Sequence, residues 1–127
     1  MKKHVRLFVV LGGMLFLSMS LFAEPVMKVA NMEYDFGKIQ EKGGKVTGVF
    51  VFQNASNEEL IISDVRTTCA CVEQYCSATS IAPWQNAYIV ATYNPNGRPG
   101  RFQKSIQVSN NSAESMITLT IKGQVIR

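Results

Sequence analysis

All three cysteines of this chain fall in one stretch, Thr67-Thr68-Cys69-Ala70-Cys71-Val72-Glu73-Gln74-Tyr75-Cys76. Thiols so close together can form a disulfide, exchange disulfides with a partner, or hold a soft metal ion. Residues i and i+2 of an extended strand stand roughly 6.6 Å apart, at the upper limit for a disulfide. A Cys69–Cys71 bond therefore requires a turn at Ala70. Cys76 closes a small loop onto Cys71 or Cys69 more easily, and such a loop contributes about 2 kcal/mol through chain entropy, less any strain. Either pairing leaves one thiol over, which is unusual for an exported protein. Four readings stay open. They are a local structural disulfide with a spare cysteine, and thiol exchange in which the third cysteine resolves the first bond. The others are capture of a soft ion such as Cu(I) by Cys69, Cys71 and Cys76, and pairing with another protein through the odd thiol.

Nothing else in the sequence supplies a reactive centre. The single histidine is His4. It lies in a segment that reads as a secretory signal peptide: Lys2, Lys3 and Arg6 open it, an apolar run from Leu7 to Leu17 follows, and Ser18, Ser20 and Ala23 close it. Cleavage is expected after Ala23, with Ser20 as the fallback because Leu21 is larger than the position three before the cut prefers. Residues 1–23 are then a helical leader and residues 24–127 the domain. The apolar run from Leu7 to Phe22 is short of the ~20 residues a spanning helix needs. Membrane contact is therefore expected only through the leader before cleavage. The expected destination is the periplasm, or else the outer surface or medium, where thiols meet an oxidising compartment.

Without His4 the remaining chain has no imidazole, which excludes Ser-His-Asp and Cys-His nucleophiles and imidazole-based zinc sites. Losing Lys2, Lys3 and Arg6 from 13 basic residues leaves ten against nine acids, a net charge of +1. No basic cluster remains to follow a phosphate backbone, so nucleic acid is not an expected partner. The expectation is a non-enzymatic protein with no catalytic residue and no cofactor. Glu58, Glu59 and Asp64 read as solvated turn charges, and Arg98 and Arg101 as a solvated hairpin tip that could alternatively bind an anion. Trp84, beside Pro83, is expected to cap the core, with an exposed binding aromatic as the alternative. Met27, Met32 and Met116 read as core filler.

The elements that position these residues read as strands. Val26–Ala30 is a short apolar segment, and Asn31 to Ile39 is extended. Glu41-Lys42-Gly43-Gly44-Lys45 is a turn. Val46 to Gln53 is rich in β-branched and aromatic residues, apolar on both faces toward its end, and suits a central strand covered on both faces or one helped by a neighbouring loop. Glu59 to Arg66 turns Leu60 and Ile62 to one side, and Val65 breaks that alternation, so a bulge is expected near Asp64. Asn86 to Tyr93 places Ala87, Ile89, Ala91 and Tyr93 on one face. Asn94-Pro95-Asn96-Gly97-Arg98-Pro99-Gly100 is the strongest turn signal and reads as a wide hairpin. Arg101 to Ser109 turns Phe102, Ile106 and Val108 inward. Lys104 shares that register and belongs near an edge, its amine in water. Met116 to Arg127 turns Ile117, Leu119, Ile121 and Val125 inward, and Gly123 marks a close approach or bulge. About seven strands with frequent turns over roughly 100 residues indicate an all-β, immunoglobulin-like sandwich.

Taken in order, Asp35-Phe36-Gly37-Lys38-Ile39, Phe50-Val51-Phe52-Gln53-Asn54, Leu60 and Ile62 leading to Cys69-Ala70-Cys71, Ala87 to Tyr93, Gly100-Arg101-Phe102, Ile106 to Asn110 and Ile121 to Val125 resemble the DUF1573 family of bacterial exported domains. The resemblance covers nearly all of residues 24–127. It implies an immunoglobulin-like sandwich similar to the major-sperm-protein and Hydin-type modules, and it implies no established activity. The family usually has Gly between its two cysteines, where this chain has Ala70, and Gly after the proline, where it has Trp84. Cys76 lies outside the shared motif. Two functional expectations follow. The first is an interaction or envelope-structural module that meets an unidentified envelope or periplasmic protein at its strand edges. The alternative is a thiol-based redox or soft-metal-handling protein using Cys69, Cys71 and Cys76.

Overall fold

The computed structural model describes residues 23–127. The expected leader helix lies outside the described residues but for Ala23. Among those described there is no helix, and nine strands form two sheets: β1 (Met27–Val29), β2 (Glu33–Gln40), β3 (Val46–Asn54), β4 (Leu60–Thr67), β5 (Val72–Cys76), β6 (Ser80–Ile81), β7 (Asn86–Tyr93), β8 (Gly100–Asn110) and β9 (Met116–Ile126). One sheet has the order β1-β3-β7-β5 and the other β2-β9-β8-β4-β6. The all-β sandwich is therefore as expected. The two strands beyond the expected seven are β5, hidden in the cysteine stretch, and the two-residue β6.

Alternation builds the core. Phe50 and Phe52 of β3, Ile89, Ala91 and Tyr93 of β7, Ile106 and Val108 of β8, and Leu119 and Ile121 of β9 are all buried between the sheets. Each is flanked along its strand by residues that face outward, as a period of two requires. Tyr93 stacks on Phe102 with ring centroids 4.0 Å apart, and Phe36 and Tyr34 continue the aromatic series toward β2. Of the three methionines read as core filler, only Met27 is buried; Met32 and Met116 are exposed.

Local irregularities fall where side-chain chemistry forces them. The β4–β8 register shifts between Ile62 and Asp64, at the expected bulge. Lys104 is half-buried on a part of β8 that β4 no longer covers, because that pairing ends at Thr67 and Ile106. Gly123 faces the Phe102 ring, and a Cβ there would come within 2.8 Å of it. The Asn94–Gly100 connection is not a hairpin. It carries the chain from β7 in one sheet to β8 in the other. A wide, proline-rich turn serves an arch between layers as well as a hairpin, so the sequence signal alone does not separate them.

The N-terminal strands divide between the layers. β1 pairs antiparallel with β3, and β2 pairs parallel with β9. The β2–β9 ladder shifts register between Asp35 and Lys38. There Gly37 adopts a left-handed backbone (φ 66°), and Asp35 Oδ1 accepts its N–H at 2.8 Å.

Candidate functional site

Cys69 and Cys71 meet through the turn that their spacing demands. Val72 N–H donates to the Cys69 carbonyl at 3.2 Å, which folds the backbone at Ala70 and brings the two Cα atoms to 5.2 Å. The sulfurs are bonded at 2.00 Å. Cys71 is buried against the core, while Cys69 is half-buried and accepts the Cys71 N–H on its sulfur at 3.3 Å. The Cys71 carbonyl in turn accepts Asn94 N–H at 2.9 Å, tying the bridge to the end of β7.

Cys76 is not part of this group. It is a free thiol at the far end of β5, which runs extended against β7 from Val72 opposite Tyr93 to Cys76 opposite Ile89. Four steps of an extended strand separate Val72 and Cys76 by roughly 13 Å, beyond the ~7 Å that a disulfide tolerates. The easier loop closure expected through Cys76 assumes a flexible segment, and strand pairing removes that flexibility. Cys76 Sγ–H donates to the Ala78 carbonyl at 3.0 Å. Burial pushes its pKa up, partly opposed by that hydrogen bond. A thiol so placed is a poor nucleophile, since the thiolate is the reactive form. Three thiols therefore do not converge on one atom. Among the described residues no group of three His, Cys, Asp or Glu side chains could hold a metal ion.

The outer face of the four-stranded sheet carries the more telling arrangement. Val49 and Tyr75 lie opposite Val90 on its two sides, and Val51 lies opposite Tyr88. These side chains form two apolar rows facing solvent. Val49 and Val51 are each 47% exposed, Tyr88 44% and Tyr75 60%. The expectation that β3 is covered on both faces is thus corrected: its second apolar face is open. Thr47, Thr92 and a Lys45–Glu73 ion pair (2.9 Å) border it at one end. Gln53 and Asn86 border it at the other.

Trp84 stands just beyond that second border. It does not cap the core; its side chain is 54% exposed. Its backbone is left-handed (φ 64°), the sole non-glycine residue in that region among those described. The conformation is held from three sides. Trp84 N–H donates to the Asn54 carbonyl at 2.8 Å, its own carbonyl accepts Gln53 Nε2–H at 3.2 Å, and its indole N–H donates to Asn57 Oδ1 at 3.0 Å.

The arginines part company. Arg98 turns back on its own connection and donates to the carbonyls of Asn94 and Asn96, whereas Arg101 lines a groove on the five-stranded sheet. Asp64 pairs with Arg66 in solvent at 3.0 Å.

The structural role of two asparagines is not legible in the sequence. Asn54 is fully buried. Its amide donates to the carbonyls of Glu58 (2.7 Å) and Ile81 (2.9 Å), and its Oδ1 accepts the Ser56 hydroxyl at 2.6 Å. Asn110 does the same for the β8–β9 turn, donating to Glu114 and accepting from Ser112 N–H. Both look like ordinary turn residues in sequence. Only the Asn-x-Ser spacing common to the two hints that the side chain folds over its own loop.

Comparison with known proteins agrees with this fold. The family model described as "Protein of unknown function (DUF1573)" matches residues 27–125. No curated protein matches the chain. Among solved structures, a protein of unknown function from Porphyromonas gingivalis W83 is similar with a TM-score of 0.70 at 15% identity, over 79% of this chain and 46% of that one. The PapD-like domain 7 of human CEP192 gives 0.63 at 14% identity, over 80% and 85%. The Vibrio cholerae VesB protease gives 0.61 at 12% identity, over 81% and 32%. The chain thus spans less than half the length of the first and third of these, and at such identities the likeness is one of fold.

Proposed function

The chain belongs to the DUF1573 family, and from that premise we propose that it is an exported, non-enzymatic binding module. Its working surface is the outer face of the β1-β3-β7-β5 sheet. The carrying observation is the pair of solvent-facing rows, Val49–Val90–Tyr75 and Val51–Tyr88. Contiguous apolar area rimmed by polar residues marks interaction sites, and tyrosines contribute contact area at low entropy cost. The sheet's outer strand β1 pairs with only three residues, so the face offers more than its edge does. The partner is another envelope or periplasmic protein, reached after the leader through Ala23 is removed. The module acts by binding and not by turnover, in keeping with a domain whose only titratable sulfur is a half-buried, hydrogen-bonded thiol.

The test is photo-crosslinking in intact cells from a probe placed at Tyr88, with the same probe at Thr118 on the outer face of the other sheet. Discrete adducts from position 88 that vanish in Val49→Lys/Val51→Lys support the reading. Equal adducts from both positions, or adducts that survive the double substitution, sink it. Mass analysis of the exported protein should find Glu24 as its first residue.

A further inference from the structure

The opposite sheet carries an open groove of about 440 Å³, lined by charged and amide side chains of β2, β8 and β9. The break in the β2–β9 ladder lies on its border, with Gly37 among the lining residues. Where the register shifts, Gly37 has no side chain, and a Cβ there would meet nothing within 4 Å.

The register places the lining charges. Lys38 lies opposite Gln124, and Gln124 opposite Arg101. One row along, Asp35 lies opposite Lys122, and Lys122 opposite Gln103. With strands about 4.8 Å apart and alternate residues about 6.7 Å apart, the Cα atoms of Lys38, Lys122 and Arg101 form a triangle with sides of roughly 8–10 Å. Side chains of that length can converge above Gln124. Lys122 is held by Glu33 at 3.1 Å, and Asp35 is engaged by Gly37 N–H. Lys38 and Arg101 make no ion pair among the described residues. The row Lys38–Gln124–Arg101 therefore presents two uncompensated cations across an amide, on a concave floor.

We propose that this groove binds a multivalent oxyanion, a phosphate-type group, seated over Gln124 between Lys38 and Arg101 with Lys122 as the third contact. Arginine and lysine donate charge-assisted hydrogen bonds to such groups, and three cations in the lining outnumber its one carboxylate, Asp35. Asp35, in the neighbouring row, confines the anion to one end. The group can belong to a soluble phosphorylated compound or to an anionic lipid headgroup. The site is independent of the apolar face, which lies on the other sheet.

The experiment titrates isotope-labelled protein with inorganic pyrophosphate and, separately, sediments it with vesicles of phosphatidylglycerol in phosphatidylcholine. Saturable shifts of the Lys38, Gln124 and Arg101 amides that weaken with salt support a soluble ligand. Sedimentation without pyrophosphate shifts supports the lipid source. In either arm Lys38→Gln/Arg101→Gln should weaken binding roughly tenfold or more, while Lys28→Gln/Lys45→Gln, which removes the same charge from β1 and the turn before β3, should not. Absence of binding in both arms, or equal loss in the two double variants, overturns the proposal.

Discussion

The ring of Tyr34 fills the space that a side chain on Gly48 would need: a Cβ at residue 48 would stand 2.8 Å from Tyr34 Cγ. Tyr34 belongs to β2 and Gly48 to β3, so this contact joins the two sheets at the margin of the core. Phe36 at 4.8 Å and Phe50 at 6.4 Å hold the ring in place.

Gly48→Ala should therefore lower stability by about 1–3 kcal/mol, the usual cost of overpacking. Adding Tyr34→Ala should give back part of that loss. Urea unfolding of the two single variants and the double variant measures it. Simple additivity would mean that the ring does not occupy that space. Gly123→Ala should cost more than Gly48→Ala, because its Cβ meets both the Phe102 ring at 2.8 Å and the Gly37 carbonyl, a backbone atom, at 3.0 Å.

Trp84 gives a prediction about backbone and not bulk. Its left-handed φ suits glycine and burdens every residue with a Cβ. Trp84→Ala and Trp84→Gly both remove the indole and its bond to Asn57. Only the second relieves the backbone. Trp84→Gly should then be the more stable of the two by about 1 kcal/mol, read from denaturant midpoints. An alanine variant as stable as the glycine variant would refute the assigned conformation.

The sulfur arrangement predicts one free thiol per native chain, at Cys76, in a thiol count without denaturant followed by peptide mapping. Cys76→Ser should leave the melting temperature nearly unchanged, since the serine hydroxyl can still donate to Ala78. Removing both Cys69 and Cys71 should cost about 1.6 kcal/mol from the loop-entropy relation for so short a loop. A marked loss of stability in Cys76→Ser would place Cys76 in a bond.

Alkaline pH should weaken the fold in a defined order. Burial raises the Cys76 pKa above 9.0 and the Tyr93 pKa above 10.0, with Arg98 partly opposing the latter. Below those values both groups are neutral folded or unfolded. Above them the unfolded chain gives up its protons first, so the native state binds more protons and stability falls as pH rises. The decline should begin near pH 9 and lose its first part in Cys76→Ser. Unfolding midpoints measured across that range decide it, and a rising or flat profile would contradict the burial of both groups.

Much of this architecture is legible from period-two alternation alone. Ile117, Leu119, Ile121 and Val125 point inward as their spacing requires, and so do Ala87, Ile89, Ala91 and Tyr93. β5 was harder to see. Val72 faces in while Glu73 and Tyr75 face out, but five residues beside three cysteines suggest a loop as readily as a strand. That ambiguity hides the separation of Cys76 from the bridge. The open face was illegible for a related reason. Apolar residues on both sides of β3 signal burial on both sides, and nothing local says that no element among the described residues covers the second. Trp84 shows the limit of reasoning by residue type: a large aromatic suggests core, whereas its backbone conformation carries the indole into solvent.

The parallel pairing of β2 with β9 has a mechanical meaning. Tension that enters the chain ahead of Glu33 and leaves it after Ile126 pulls the two strands past each other along their length. The bridging hydrogen bonds on either side of the interruption at Gly37 are then strained together and not peeled one by one.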